Sequence, residues 1–513
     1  MMTRPYLCRR FTAGALTLLL LSFSIGDAAT WAQDISGGAS ADMAGAGDAE
    51  SRLGIGVFTN PQNFAHAPKR LEKKTVARPD NPSRPKRPPV AGGRRDPTKP
   101  PRPTDPAKPA ESAQALEDQG DDFFDAGDYE KAAEAYQKVV RLQPKNFDAY
   151  LNLGNAYFNL GRLDEAAAAY EKSGNLKPEW AEPVHKLGDT YLKQEKKTEA
   201  VDALKQAVRL DTKNAEARAS LSLAYYDQGV AAYNAGKYEE AVADYLLAVG
   251  IKPDYGEAHN NLGDAYRRLN KLPEATEAYK LAIRYKGNWA EPYTNLSWVY
   301  DKQGRYLEAL DSYRELIRLK PDDAEAHNNR GYALGRTRRW PDAIEEFKKA
   351  IQLKPDYAEP YINLGWAYNN TGRFKEAVAP LKQAIQLQPD RPEAHFNLGI
   401  ADSRLGEKQE AVASFQKAVQ LKPDWAQAHN NLGYAYGSQG RWKDAIEAHR
   451  QAIKIKPDYA GAYFNLGYAY LKNGDKKAAS EQYNLLRPLN LELANKLYVL
   501  IYKKQPPPQP KGA

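Results

Sequence analysis

Of 513 residues, one is cysteine and three are methionine. The lone Cys8 excludes a disulfide framework, a thiolate metal site and a cysteine nucleophile for most of the chain. No Gly-rich phosphate loop, G-x-S-x-G elbow or H-E-x-x-H helix is present either. The chain therefore reads as non-catalytic, without cofactor or metal. Long hydrophobic runs are missing too. The apolar run from Phe11 to Ile25 is shorter than the ~20 residues a membrane-spanning helix needs.

That run has the form of a secretory signal over residues 1–32. Arg4, Arg9 and Arg10 precede it, and small residues offer cleavage after Ala28 or Ala32. Export to a periplasm or the exterior is expected, and an uncleaved anchor stays open. Residues 33–112 read as a disordered linker, first Gly/Ala-rich, then Pro/Lys/Arg-rich. Residues 68–109 hold 12 prolines and 13 Lys/Arg against 4 Asp/Glu, too little apolar surface to offset the entropy of ordering. This arm carries the formal net charge of +8, which leaves the body near neutral and argues against nucleic acid as a partner. The arm is either a spacer or a contact to anionic cell-wall polymer or lipid headgroups.

What the chain has is tyrosine, 33 of them, and a period of 34 residues from position 113 onward. Gly154, Gly188, Gly263, Gly365, Gly399 and Gly433 share one register, Ala132, Ala166, Ala200, Ala241 and Ala275 another, and Pro144, Pro178, Pro253 and Pro321 a third. Eleven units start at 113, 147, 181, 222, 256, 290, 324, 358, 392, 426 and 460, and places below are counted from those starts. The single slip, 215–221, is seven residues long. That is nearly two helical turns, so it can extend a helix without rotating its buried face.

Glycine at place 8 and alanine at place 20 predict two helices in close approach. A second glycine, as in Gly161, Gly236, Gly304, Gly372, Gly440 and Gly474, predicts a left-handed cap after the first helix. Pro273 and Pro341 fit the first turn of the second helix. Asp254/Glu257, Asp356/Glu359 and Asp390/Glu393 read as capping boxes. Tyr, Leu and Phe at places 4, 7, 11 and 24 form the expected core.

These units, among them A-E-P-Y-I-N-L-G-W-A-Y (358–368) and G-R-F-K-E-A-V (372–378), resemble the tetratricopeptide repeat family over 381 of the 513 residues. The resemblance implies an all-α fold: a right-handed superhelical solenoid of antiparallel helix pairs whose concave groove binds protein or peptide. Residues 113–493 would hold the eleven repeats and 494–505 a capping helix over the last apolar face. Residues 506–513 make a Pro-rich tail.

The sixth place is asparagine in Asn152, Asn261, Asn295, Asn329, Asn363, Asn397, Asn431 and Asn465. We expect it on the exposed face of the first helix. An amide both donates and accepts, so it can pair with an extended backbone. The series resembles the asparagine ladder in the tetratricopeptide superhelix of the O-linked N-acetylglucosamine transferases, which implies capture of peptide through its main chain. Bonds between neighbouring helices are the alternative. The ninth place is aromatic in Trp298, Tyr332, Trp366, Tyr434 and Tyr468, suited to proline, aromatic or sugar rings in a groove, or to lateral packing. Earlier units carry Asp121, Asn155, Asp189 and Asp264 there, which suggests a more acidic end.

His259, His327, His395 and His429 share the fourth place. Neighbouring helices lie roughly 8–10 Å apart, whereas zinc ligands sit about 2.0–2.1 Å from the ion, so these side chains are expected to replace a packing aromatic. The expected partner is a protein or extended peptide. A glycan-handling scaffold and an accessory subunit of a separate enzyme stay open, as does the oligomeric state.

Overall fold

The computed structural model describes residues 112–504, which form 23 α-helices and no strand. The signal, the arm before Ser112 and the Pro-rich tail lie outside the described residues. Eleven antiparallel helix pairs run from Ala113–Asp125 with Tyr129–Leu142 to Ala460–Lys472 with Lys476–Leu486, and Leu491–Tyr502 follows them. The chain divides into two compact units, one up to Arg339 and the other from Trp340 onward. Each is a stack of such pairs. Among the described residues no helix is long and apolar enough to cross a membrane.

The short period follows from the size of two side chains. At place 8, a Cβ on Gly154 would lie 2.6 Å from the Tyr170 ring, and one on Gly263 2.6 Å from the Tyr279 ring. The aromatic residue at place 24 therefore rests directly on the backbone of the first helix. The place-20 alanines, such as Ala166, Ala275 and Ala377, are fully buried opposite. A larger side chain at either place would push the pair apart, and the one exception at place 8 is the small Ser297.

Each first helix ends at place 15 in the left-handed region, in all eleven repeats. Eight of these residues are glycine, with φ between 72 and 87°, and the others are Glu195, Asn270 and Arg338 at 63, 57 and 60°. An L-residue there costs about 1–2 kcal/mol, which the packing of the following helix has to offset in those three repeats.

The expected capping boxes do not form. The N-caps are Tyr255, Tyr357 and Arg391, one residue after Asp254, Asp356 and Asp390, and none of them makes a side-chain cap bond. The 34-residue spacing places the aspartates one position too early. The glutamates turn elsewhere: Glu257 pairs with Lys286 at 2.7 Å, and Glu359 accepts from the Tyr357 hydroxyl at 2.7 Å. Side-chain caps occur instead where Ser, Asp or Asn stands at the cap itself, as in Asn146 and Asn214.

Asn214 opens the helix Ala215–Asn234, 20 residues long, which absorbs the seven-residue slip as added turns with Ala217 and Leu221 buried. At the other end, the last helix begins at Leu491, earlier than 494, because Asn490 caps it by accepting from the Leu493 N–H. Its Leu497 sits on Gly467 as a place-24 residue would, with Ala494 and Ile501 buried beside it.

Candidate functional site

The sixth-place asparagines are not on an exposed face. Asn261, Asn295, Asn363 and Asn397 are buried, and Asn152, Asn329, Asn431 and Asn465 are half-buried. Place 6 lies one residue before the core leucine at place 7, so it points along the seam between successive first helices. Three of the amides bond backward over 35 residues, from place 6 to place 5 of the preceding repeat. Asn261 donates to the Tyr226 hydroxyl at 3.0 Å, Asn295 to Asn260 Oδ1 at 3.3 Å, and Asn465 to Asn430 Oδ1 at 3.1 Å. Where the preceding fifth place is apolar this bond cannot form. After Ile362, Asn397 donates to its own helix at the Glu393 carbonyl, 2.9 Å away. After Phe396, Asn431 engages no side chain.

The ninth-place rings pack sideways, with part of each left accessible in Trp298, Trp366, Tyr434 and Tyr468. Three of the five meet the aromatic residue that opens the second helix of the preceding repeat. Trp366 stands edge-on to Trp340 with centroids 4.9 Å apart, Tyr468 to Trp442 at 6.1 Å, and Tyr332 to Tyr306 at 6.2 Å. Tyr332 is buried and accepts from Arg336 Nη1 at 2.9 Å. Arg267 lies over the Trp298 ring, 5.2 Å from its centroid.

Three of the four polar ninth places of the early repeats serve the interior, and the fourth, Asp189, lies 3.3 Å from His185 Nε2. The three acceptors take the hydroxyl of the place-24 tyrosine of the same repeat: Tyr136 to Asp121 at 2.8 Å, Tyr170 to Asn155 at 2.8 Å, Tyr279 to Asp264 at 2.9 Å. Asp264 is fully enclosed, which pushes its carboxyl up, and Arg267 at 3.1 Å opposes that shift. In the sixth repeat Ser297 replaces the glycine, the ninth place is Trp298, and Tyr313 reaches Asp301 at place 12 instead. Burial pushes Asp301 up to about 7, and its Oδ1 has no hydrogen-bond partner. The sequence shows the first three pairs as a polar ninth place with a tyrosine fifteen residues on, although Asp189 with Leu204 and Val230 with Tyr245 break the correspondence.

His449 holds place 24 of the tenth repeat, over Gly433. Its Nδ1 donates to Asn430 Oδ1 at 3.0 Å, and burial lowers its pKa to about 3, so the ring is neutral. The fourth-place histidines also have a shared task. Nε2 of His259, His327, His395 and His429 donates to the carbonyl of Pro253, Pro321, Pro389 and Pro423, at 2.8, 3.1, 3.0 and 2.9 Å. Tyr361 does the same to Pro355 at 3.2 Å, so histidine here stands in for a hydroxyl-bearing aromatic. Among the described residues no group of three His, Cys, Asp or Glu side chains could hold a metal.

Models of the tetratricopeptide repeat match residues 117–174, 226–289, 294–358 and 346–379, and a related repeat model matches 154–195, 188–229, 367–406, 404–440 and 436–474. Together they cover more than half of the chain. No curated protein matches it. Similar solved structures include the APC/C hetero-tetramer Cut9–Hcn1, at 15% identity over 76% of this chain and 96% of that one, with a TM-score of 0.41. Yeast Tom70 matches at 15% identity over 76% and 95%, TM-score 0.35. MamA matches at 31% identity over 32% and 95%, TM-score 0.30.

Proposed function

Since the chain belongs to the tetratricopeptide repeat family, we propose that it is an exported, non-catalytic scaffold holding an extended segment of a protein partner along its first helices. The observation that carries this reading is the series of partly accessible rings at one place of the first helix in the unit from Trp340 onward, Trp366, Tyr434 and Tyr468. Trp366 and Tyr468 are each held on one edge by a neighbouring tryptophan, so they offer apolar contact with little rotamer entropy left to lose. The asparagine series contributes less than its regularity suggests, because the buried amides are spent on the seam. Asn152 and Asn431, half-buried and without a side-chain partner, are the rungs able to pair with a foreign backbone.

Replacing Trp366, Tyr434 and Tyr468 by alanine is expected to weaken capture of the partner from an envelope extract by at least about tenfold, the size of a hot-spot loss. Thermal melting of the same variant checks that the stack persists. Equal capture by a folded variant rejects the first-helix face. Export is tested by N-terminal sequencing of the mature chain, expected to begin at Ala29 or Gln33; a cytoplasmic chain beginning at Met1 rejects it.

A further inference from the structure

The second helix of the fourth repeat, Tyr238–Ile251, departs from the other ten. Its places 25 and 26 are Leu246 and Leu247, both 47% exposed. The same places hold Lys205 and Gln206 in the third repeat, Lys348 and Lys349 in the seventh. It is also the only second helix of the eleven without lysine or arginine, and it carries Glu239, Glu240 and Asp244. Lys237, the N-cap, pairs with Glu240 at 3.0 Å, which leaves two adjacent leucines in water beside Glu239 and Asp244 as an apolar and acidic strip. A second copy of the same strip would be repelled by its own charges.

We propose that this strip is the docking site of the chain's own basic arm, through residues 69–78. That segment, KRLEKKTVAR, places Leu71 and Val76 among Lys69, Arg70, Lys73, Lys74 and Arg78, which complements the strip in both polarity and sign. Reach is sufficient. The 34 residues from Arg78 to Ser112 extend to about 105 Å at about 3.1 Å each, and the strip lies seven helices on, at most about 70 Å at 8–10 Å per helix. Tethering supplies an effective concentration on the order of 1 mM, enough to populate a weak contact that two free molecules would not form. Docking would lay the arm along the second helices and leave the first-helix face open, so it does not depend on the partner reading above.

The test is limited trypsin cleavage of the full chain at Lys73 and Lys74. With an intrinsic Kd on the order of 0.1 mM, the wild type is expected to be cut about tenfold more slowly than L246K/L247Q, which installs the pair found in the third repeat and so preserves the helix. In 1 M salt, where screening shortens to about 3 Å, the difference is expected to shrink. Equal cleavage of wild type and variant overturns the proposal. So does protection that grows with protein concentration together with a doubled mass in sedimentation, which would assign the strip to a second copy.

Discussion

The unit up to Arg339 and the unit from Trp340 are built from the same repeat yet close their helix pairs differently. In the first, place 24 is tyrosine in five of six repeats, and four of those hydroxyls find an acceptor on the first helix: Asp121, Asn155, Asp264 and Asp301. In the second, the same place is Phe347, Leu381, Phe415 and the neutral His449 in the seventh to tenth repeats, with Trp366, Ile400 and Tyr434 at the ninth places of the last three of these. It returns to tyrosine in the eleventh, Tyr483, with Tyr468 at the ninth place. A hydroxyl that lies on a backbone glycine cannot reach water, so tyrosine at place 24 calls for an acceptor. Without the hydroxyl the ninth place no longer has to supply an acceptor, and the eighth and tenth repeats put the rings of Trp366 and Tyr434 there. In those repeats a partly accessible ring stands where Asp121 or Asp264 serves the interior of the early ones.

The sharpest way to break this comparison is Asp264→Ala. It strands the Tyr279 hydroxyl and the largely buried Arg267 together, so a loss of about 3–5 kcal/mol in chemical denaturation is expected. Ile400→Ala at the same place is expected to cost less.

A second expectation concerns pH. Asp301 has a native pKa of about 7 against an unperturbed 3.8, so the native state holds this proton more tightly than the unfolded chain does. Stability from this group therefore rises as pH falls from about 7 toward 4, by up to about 1.4 kcal/mol per pH unit. Subtracting the stability of Asp301→Asn from that of wild type across this range isolates the slope. A flat difference would contradict a buried, proton-holding carboxyl.

The smallest effect separates two tyrosines. Tyr136→Phe loses a hydrogen bond to Asp121 and should cost about 1 kcal/mol. Tyr245→Phe should be neutral or slightly stabilising, because the Tyr245 hydroxyl is buried beside Val230 at the ninth place and has no partner. Equal costs in paired melting experiments would show that the ninth place does not govern the hydroxyl.

Most of the fold was legible because small residues recur at fixed places. Gly154 and Ala166 say that two backbones touch, Gly161 says that the chain turns left-handed, and the seven-residue slip says that a helix grows. The capping boxes were misread because Asp254 fits the sequence pattern but lies one residue from the cap, a distinction that spacing alone does not make. The candidate site was less legible for a related reason. Asparagine at place 6 is equally suited to a ligand and to a neighbour, and the neighbour's answering group sits 35 residues back, in a different repeat. The ninth place could be read only together with place 24, fifteen residues on, where the helix pair folds it into contact.

The backward bond also makes each repeat grammatical only in context. Asn431 is available because Phe396 precedes it, and Asn465 is spoken for because Asn430 does. Two chains with identical repeats in a different order would offer different amides to the outside. Duplicating or transposing a 34-residue block thus alters the residues of the block that follows it, although not one of them has changed.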